Sequence, residues 1–165
     1  MKQWQQIAMR DSKLESPREI CGLVVNLKGK EVFFNCPNRS KDEDNFILDP
    51  DSYAICEEQG QIVGIFHSHP KGSSEPSDAD KISCEASKLP WYIYSPLENT
   101  WSELKPNGYK PKLYGRPWIW GLTDCYTFLR DWYKEVKNIN LKDYERSLTA
   151  EEFLEDPLFE SYAWR

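Results

Sequence analysis

A short apolar segment that runs into two closely spaced histidines is the feature that most limits the folds open to this chain. Residues 62–66 read Ile-Val-Gly-Ile-Phe, and His67-Ser68-His69 follows at once. An apolar run of this length predicts a buried strand. Side chains at positions i and i+2 of a strand point to the same face, so we expect the two imidazoles to lie side by side at the strand end. The chain contains 2 histidines in all, and this pattern commits both of them to one place.

The segments around this strand alternate between helical and extended patterns. This order predicts an α/β domain in which helices flank a mixed sheet. The expected helices cover about 2–14, 50–59 and 78–88. The expected strands, besides the histidine strand, are 20–26 and 31–36 as a hairpin, 46–48, 91–94 and 101–104.

A carboxylate follows the histidines at the start of a predicted helix. Asp80 ends the sequence Ser77-Asp78-Ala79-Asp80. Two histidines and one carboxylate, with a fourth position for water, form the ligand set of a catalytic zinc site. The Ser77/Asp80 spacing is also that of a capping box, which starts a helix without any metal. The two interpretations are compatible, because a helix N-terminus stabilises a carboxylate that also contacts a metal.

The string from His67 to Asp80 resembles the signature of the JAMM (MPN+) metalloprotease family. It contains His-x-His, then 70–76 with a proline at each end, and then Ser-x-x-Asp. The resemblance covers about residues 1–105. It implies a JAMM/MPN-type mixed sheet flanked by helices, with Zn²⁺ bound by His67, His69 and Asp80.

The resemblance also implies roles for two residues outside the ligand set. The family has a glutamate on an early strand or just before it, which corresponds to Glu19 because this residue directly precedes the apolar segment 20–25. Glu15, four positions earlier, is the alternative. Glu19 would act as general base toward a zinc-activated water. Ser77 would donate a hydrogen bond to the oxyanion of a peptide or isopeptide bond under attack.

A break in the pattern separates this region from the rest of the chain. Turn-forming residues are concentrated in one stretch: Pro106, Gly108, Pro111, Gly115 and Pro117. Such a stretch is typical of a linker. We therefore expect a first domain at 1–105, a linker at 106–117 and a second, mainly helical segment at 118–165.

The second segment begins with a strongly amphipathic pattern. Its apolar stripe contains Cys125, Phe128, Leu129, Trp132, Tyr133 and Val136. This spacing predicts a helix capped by Thr123 or Asp124, with Cys125 in its first turn. Two interpretations of Cys125 stay open at this point. It is either the first core residue of the apolar face, or a thiol that the helix N-terminus favours as thiolate.

The start of this helix resembles the beginning of an NlpC/P60 cysteine peptidase domain. The sequence Asp124-Cys125-Tyr126 follows Trp120-Gly121, and the resemblance makes Cys125 the nucleophile. A papain-like dyad needs a base within hydrogen-bond reach of the thiol. No histidine follows His69, so we expect an incomplete domain, from a fragment or by decay, and no cysteine peptidase activity in this chain. A further helix is expected from Thr149, interrupted at Pro157.

The combination of a JAMM domain with the start of an NlpC/P60 domain is similar to the tail tip assembly proteins of lambda-like long-tailed phages. This resemblance implies other tail tip proteins as partners and a protein or peptide substrate. It also implies the host cytoplasm during assembly, and the virion tail tip, as locations.

Composition excludes several classes of partner. The net charge is −6, and basic residues are scattered, so nucleic acid and anionic membrane are not expected partners. Apolar runs reach about five residues, far short of the ~20 that a membrane-spanning helix needs, so stable membrane insertion is not expected. The 5 cysteines form no Cys-x-x-Cys pair, which argues against a disulfide framework or a cysteine zinc site.

Two other functions remain compatible with these patterns. The chain could be a non-enzymatic tail component with a vestigial site. The intact JAMM positions argue against this for the first domain, and the missing histidine favours it for the second. The chain could instead be a cellular JAMM isopeptidase acting on ubiquitin-like or sulfur-carrier proteins, which the Cys125 segment argues against.

Overall fold

A computed structural model describes residues 1–144, 146–147 and 149–155 of the chain. It divides into two compact units, Met1–Tyr109 and Lys110–Arg165. Each unit is described by itself below. Among the described residues, no helix combines the length and apolar character needed to cross a membrane.

The first unit contains three helices and five strands in the predicted order. They are α1 (Gln3–Glu15), β1 (Cys21–Leu27), β2 (Lys30–Cys36), α2 (Pro50–Gln59), β3 (Gln61–Ser68), α3 (Asp78–Ser87), β4 (Trp91–Ser95) and β5 (Thr100–Leu104). The strand predicted at 46–48 is wrong: only a single bridge joins Leu48 to Asn38. This segment belongs instead to a loop that side-chain hydrogen bonds hold in place.

The strands form one mixed sheet with the order β2-β1-β3-β4-β5. β1 pairs antiparallel with both β2 and β3, β4 pairs antiparallel with β5, and β3 and β4 are parallel. The parallel pair is connected through α3, as parallel neighbours require a crossover. The predicted α/β class, a mixed sheet flanked by helices, is confirmed.

Two apolar clusters cover the two faces of this sheet, because neighbouring strand residues point to opposite sides. One cluster combines residues of α1 with Ile20 and residues of the strands: Trp4, Ala8, Ile20, Val24, Phe33, Phe66 and Tyr94. The other combines Cys56 of α2 and Cys84 of α3 with residues of the strands: Leu23, Val25, Cys36, Ile65 and Trp91. The histidine strand β3 contributes to both clusters and is therefore held firmly from both sides.

The second unit contains α4 (Cys125–Lys137) and α5 (Ala150–Glu155). Asp124 caps α4, accepting a hydrogen bond from the Thr127 backbone N–H at 2.8 Å. The predicted amphipathic helix is confirmed, although Leu129 and Val136 on its apolar stripe are exposed. α5 confirms the helix expected after Thr149, and the interruption at Pro157 lies outside the described residues.

Candidate metal centre

The sheet register places the start of β1 beside the end of β3. In the antiparallel β1–β3 pair, Cys21 lies opposite His67. Beyond this pair the Ser68 N–H donates to the Ile20 carbonyl at 3.0 Å, and the Ile20 N–H donates to Ser68 Oγ at 3.0 Å. These bonds hold the segment before β1, which carries Glu19, next to the histidines.

His67, His69 and Asp80 converge, with one possible ligand atom from each lying within 4.8 Å of the others. The two Nε2 atoms are 3.0 Å apart. Asp80 Oδ1 lies 3.1 Å from His67 Nε2, and Oδ2 lies 3.5 Å from His69 Nε2. The strand end and the first turn of α3 therefore direct two imidazole nitrogens and a carboxylate at a common point.

This donor set fits a zinc ion. His69 Nδ1 lies 2.9 Å from the Ser73 carbonyl oxygen, and a carbonyl accepts only from the Nδ1–H tautomer. That tautomer leaves the Nε2 lone pair pointing inward, as a metal ligand requires. Ligand atoms at about 2.0 Å from a tetrahedral ion lie about 3.3 Å apart, close to the observed separation of the two Nε2 atoms.

Electrostatics at the cluster favour a cation. Burial raises the pKa of the Asp80 carboxyl, but hydrogen bonds with His67, His69 and Ser77 outweigh this and hold that pKa well below its usual range. Burial lowers the pKa of His67, and Asp80 offsets this only in part, so the ring is neutral at physiological pH. Burial also acts to lower the pKa of His69, but the bonds to Asp80 and Ser73 and nearby negative charge raise it overall.

Glu19 is a buried carboxyl close to this cluster. Its side chain is 8 % exposed, and burial raises its pKa to about 8, with opposing contributions from His69, which lowers it, and Asp80, which raises it. Its backbone N–H donates to the Glu43 carbonyl at 2.9 Å. Glu15, by contrast, is exposed at the end of α1.

Ser77 caps α3 with an exposed side chain. Its Oγ accepts from the Asp80 N–H at 3.1 Å and donates to Asp80 Oδ2 at 2.7 Å. The Ser77 N–H also donates to Asp80 Oδ2, at 2.7 Å. Both the capping box and the carboxylate position expected from the sequence are therefore present in one turn, and Ser77 orients Asp80.

Comparison with known proteins identifies the family to which the first unit corresponds. The family model described as "Prokaryotic homologs of the JAB domain" matches residues 1–106, which include the whole five-stranded sheet and His67, His69 and Asp80. The chain belongs to this prokaryotic JAB family.

The chain is also similar to two curated phage proteins. The chain is 37% identical over 137 residues to tail tip assembly protein K of Escherichia phage N15, a match covering 82% of this chain and 56% of that protein. It is 35% identical over 99 residues to tail tip assembly protein K of Escherichia phage lambda, covering 60% of this chain and 47% of that protein. The chain thus spans about half the length of the curated relatives that it matches.

A solved structure shares the fold of the JAB domain. The solution structure of a protein from Desulfitobacterium hafniense aligns with a TM-score of 0.52 at 21% identity, covering 62% of this chain and 78% of that one. At this identity the likeness concerns the fold alone.

Cys125 lies outside the JAB domain, at the first position of α4, and its side chain is exposed. The interpretation of Cys125 as a core residue is therefore wrong, because the described residues leave its side chain uncovered. Its neighbour Asp124 is buried and bound by Thr127, Gly121 and Arg146. These contacts fix the turn that presents the thiol.

The loop before α2 brings two further residues to the cluster, and the sequence patterns did not predict them. Phe46 stacks on the His67 ring, with centroids 4.8 Å apart and planes at 28°. Asn38 Nδ2 donates to the Glu19 carbonyl at 3.0 Å. The sequence pattern placed Phe46 in the expected strand 46–48, and no local pattern marked Phe46 or Asn38 as part of the site.

Proposed function

We propose that the JAB domain of this chain is a zinc-dependent peptidase of phage tail assembly that hydrolyses a peptide or isopeptide bond. The metal ligands in this proposal are His67, His69 and Asp80. One observation carries it: two Nε2 atoms 3.0 Å apart and a carboxylate oxygen 3.1 Å away converge beside a buried carboxyl, that of Glu19.

In this proposal Glu19 transfers the proton and Ser77 stabilises the developing negative charge. A zinc ion bound here would supply Lewis acidity, lowering the pKa of water toward ~7 and polarising a carbonyl group. Glu19 would accept the proton of the attacking water and return it to the leaving amine, a task suited to a carboxyl whose pKa lies near the working pH. Ser77 would turn its hydroxyl from Asp80 to the carbonyl oxygen as negative charge develops there.

The setting of the reaction is proposed from the relatives. Both are named tail tip assembly protein K, which supports a role in tail assembly with other tail tip proteins as partners. The substrate would be a protein or peptide. The chain would act in the host cytoplasm during assembly, with the virion tail tip as a second location.

The replacement Glu19→Gln tests the proposed reaction. The amide is nearly isosteric and cannot accept the proton of water, so we expect zinc to remain bound while cleavage falls by ~10²–10⁴-fold. Zinc-loaded protein would be incubated with a mixture-based peptide library, and products identified by mass spectrometry. The matched control is Glu15→Gln, which replaces an exposed glutamate of the same segment and should cleave like the unmodified chain.

Three outcomes separate the alternatives. Cleavage that survives Glu19→Gln but not Glu15→Gln would move the general base to Glu15. Zinc binding by a chain that cleaves no peptide of the library would support a structural tail component with a vestigial site. Cleavage that persists after zinc removal would contradict the metallopeptidase proposal itself.

A further inference from the structure

The two histidines of the cluster differ in what holds their second ring nitrogen. His69 Nδ1 bonds to the Ser73 carbonyl at 2.9 Å, the usual arrangement that fixes the tautomer and orientation of a ligating imidazole. His67 Nδ1 is buried, and no described residue offers it a hydrogen-bond partner. A different interaction must therefore orient the His67 ring.

Two aromatic rings orient the His67 imidazole instead of a hydrogen bond at Nδ1. Phe46 stacks on the His67 ring at a centroid distance of 4.8 Å and an angle of 28°. Trp91 meets the same imidazole edge to face, at 5.4 Å and 75°, and the two aromatic rings also touch each other at 5.5 Å. His67 is only 1% exposed. The two aromatic rings, together with His69, Asp80 and the sheet, therefore leave its imidazole one orientation.

The contact between Phe46 and His67 depends on the conformation of a loop, which the Asn38 side chain stabilises by hydrogen bonds. Asn38 Oδ1 accepts from the Ile47 N–H at 3.1 Å and the Ser40 N–H at 2.9 Å. Its Nδ2 donates to the Asn45 carbonyl at 3.0 Å. Because these bonds fix the residues on both sides of Phe46, its ring is presented to His67 in a set position.

The same amide reaches the other side of the site. Asn38 Nδ2 donates to the Glu19 carbonyl at 3.0 Å, and the Glu19 N–H donates to the Glu43 carbonyl at 2.9 Å. The loop 38–47 therefore contacts the backbone of the proposed general base and the ring of a proposed ligand at once. It sets their positions relative to each other.

We propose that Phe46 is a positioning residue for the metal site, which holds the His67 imidazole in its ligating orientation by ring stacking in place of a hydrogen bond at Nδ1. The inference rests on the proposed metal site. Trp91 shares this role but is a buried sheet residue, whereas Phe46 lies on a loop and is half-buried. Its replacement therefore probes the stack without removing part of a strand.

The test compares Phe46→Leu with Phe46→Tyr in the full chain. Leucine keeps apolar volume but loses the ring, so we expect zinc affinity, measured by competition with a chromophoric chelator, to fall by about 10-fold, the lower end of the effect of outer-shell partners. Tyrosine keeps the ring and should restore most of the affinity. The control is Phe34→Leu, because Phe34 packs against the same apolar cluster and makes no ring contact with His67 among the described residues.

A second measurement does not need metal. In the zinc-free protein the Phe46 ring current shifts the carbon-bound imidazole protons of His67, so their NMR signals should move in Phe46→Leu and stay in Phe34→Leu. Equal zinc affinity of Phe46→Leu and the unmodified chain, or unmoved His67 signals, would overturn the inference and leave the metal site standing. Failure of the unmodified chain to bind zinc would overturn the proposed function and this inference together.

Discussion

Burial of the Glu19 carboxyl makes the stability of the protein depend on pH. Glu19 has a pKa of about 8 in the folded chain against an ordinary value of 4.5, chiefly because of burial. Between these two values the folded protein keeps a proton on Glu19 that the unfolded chain has released. The stability associated with this proton is fully present below about pH 4.5, and it is lost as the pH rises toward 8.

We therefore expect the metal-free protein to lose stability from pH 5 to pH 8 through Glu19, at a rate of up to about 1.4 kcal/mol per pH unit. Glu19→Gln, which is neutral throughout, should lack this component. The measurement is the free energy of unfolding in urea with a chelator present, at several pH values. Glu15→Gln is the control and should follow the unmodified chain. Identical pH slopes for Glu19→Gln and the unmodified chain would show that the Glu19 carboxyl is not buried in the protonated form.

Local sequence patterns predicted that His67, His69 and Asp80 lie together, because a short-range rule places each of them. The two-residue period of a strand aligned His67 with His69, and the capping spacing put Asp80 in the first turn of α3. Phe46 and Asn38 followed no such rule, since hydrogen bonds between a side chain and distant backbone groups shape their loop. Sequence spacing does not report contacts of that kind.

At the scale of elements, the N-terminus of α3 combines a helix cap with a proposed ligand. Ser77 Oγ both accepts from the Asp80 N–H and donates to its carboxylate. The cap thus stabilises the helix and orients Asp80 through the same hydroxyl group. α2 offers a comparison, because Asp49 caps it by accepting from the Ser52 N–H at 3.0 Å, with no contribution to the cluster.

Ser77→Ala should therefore have two effects. Loss of the cap should lower the free energy of unfolding by ~1 kcal/mol, and loss of the bond to Asp80 Oδ2 should weaken zinc binding by about 10-fold. The control is Ser52→Ala, which removes a hydroxyl bond to the α2 cap carboxylate at 2.7 Å and keeps the pair of Asp49 with Arg39. It should also destabilise the protein while leaving zinc affinity unchanged. Urea unfolding and chelator competition measure the two quantities. If both variants lost zinc affinity in proportion to stability, Ser77 would be a cap and nothing more.

The sheet of the first unit was easier to predict from sequence than the burial of side chains in the second unit. Strand and helix order in the first unit follows from alternating apolar patterns, each of which is buried against the sheet. In the second unit the same kind of pattern predicted α4 correctly but not the exposure of Leu129, Val136 and Cys125. Periodicity identifies an apolar face, whereas the partner that covers it is not encoded in the helix.

At the scale of the whole molecule, the chain carries one candidate reaction centre with histidines and one exposed thiol without them. Both histidines belong to the cluster with Asp80. We expect this chain to cleave no cell-wall peptide through Cys125, because a papain-like thiol needs a base within hydrogen-bond reach. Muropeptide digestion by the unmodified chain and by Cys125→Ser, followed by mass spectrometry, checks this. Cleavage that disappears only in Cys125→Ser would mean that another group activates the thiol.

We propose that His67, His69 and Asp80 form one zinc site. Elemental analysis of the purified chain after dialysis tests it most directly. We expect about one zinc per chain, because two imidazoles and a carboxylate hold zinc in catalytic sites and leave a fourth position for water. We expect almost none when His67 and His69 are both replaced by alanine. Full zinc occupancy in that double variant would show that His67 and His69 do not bind the ion.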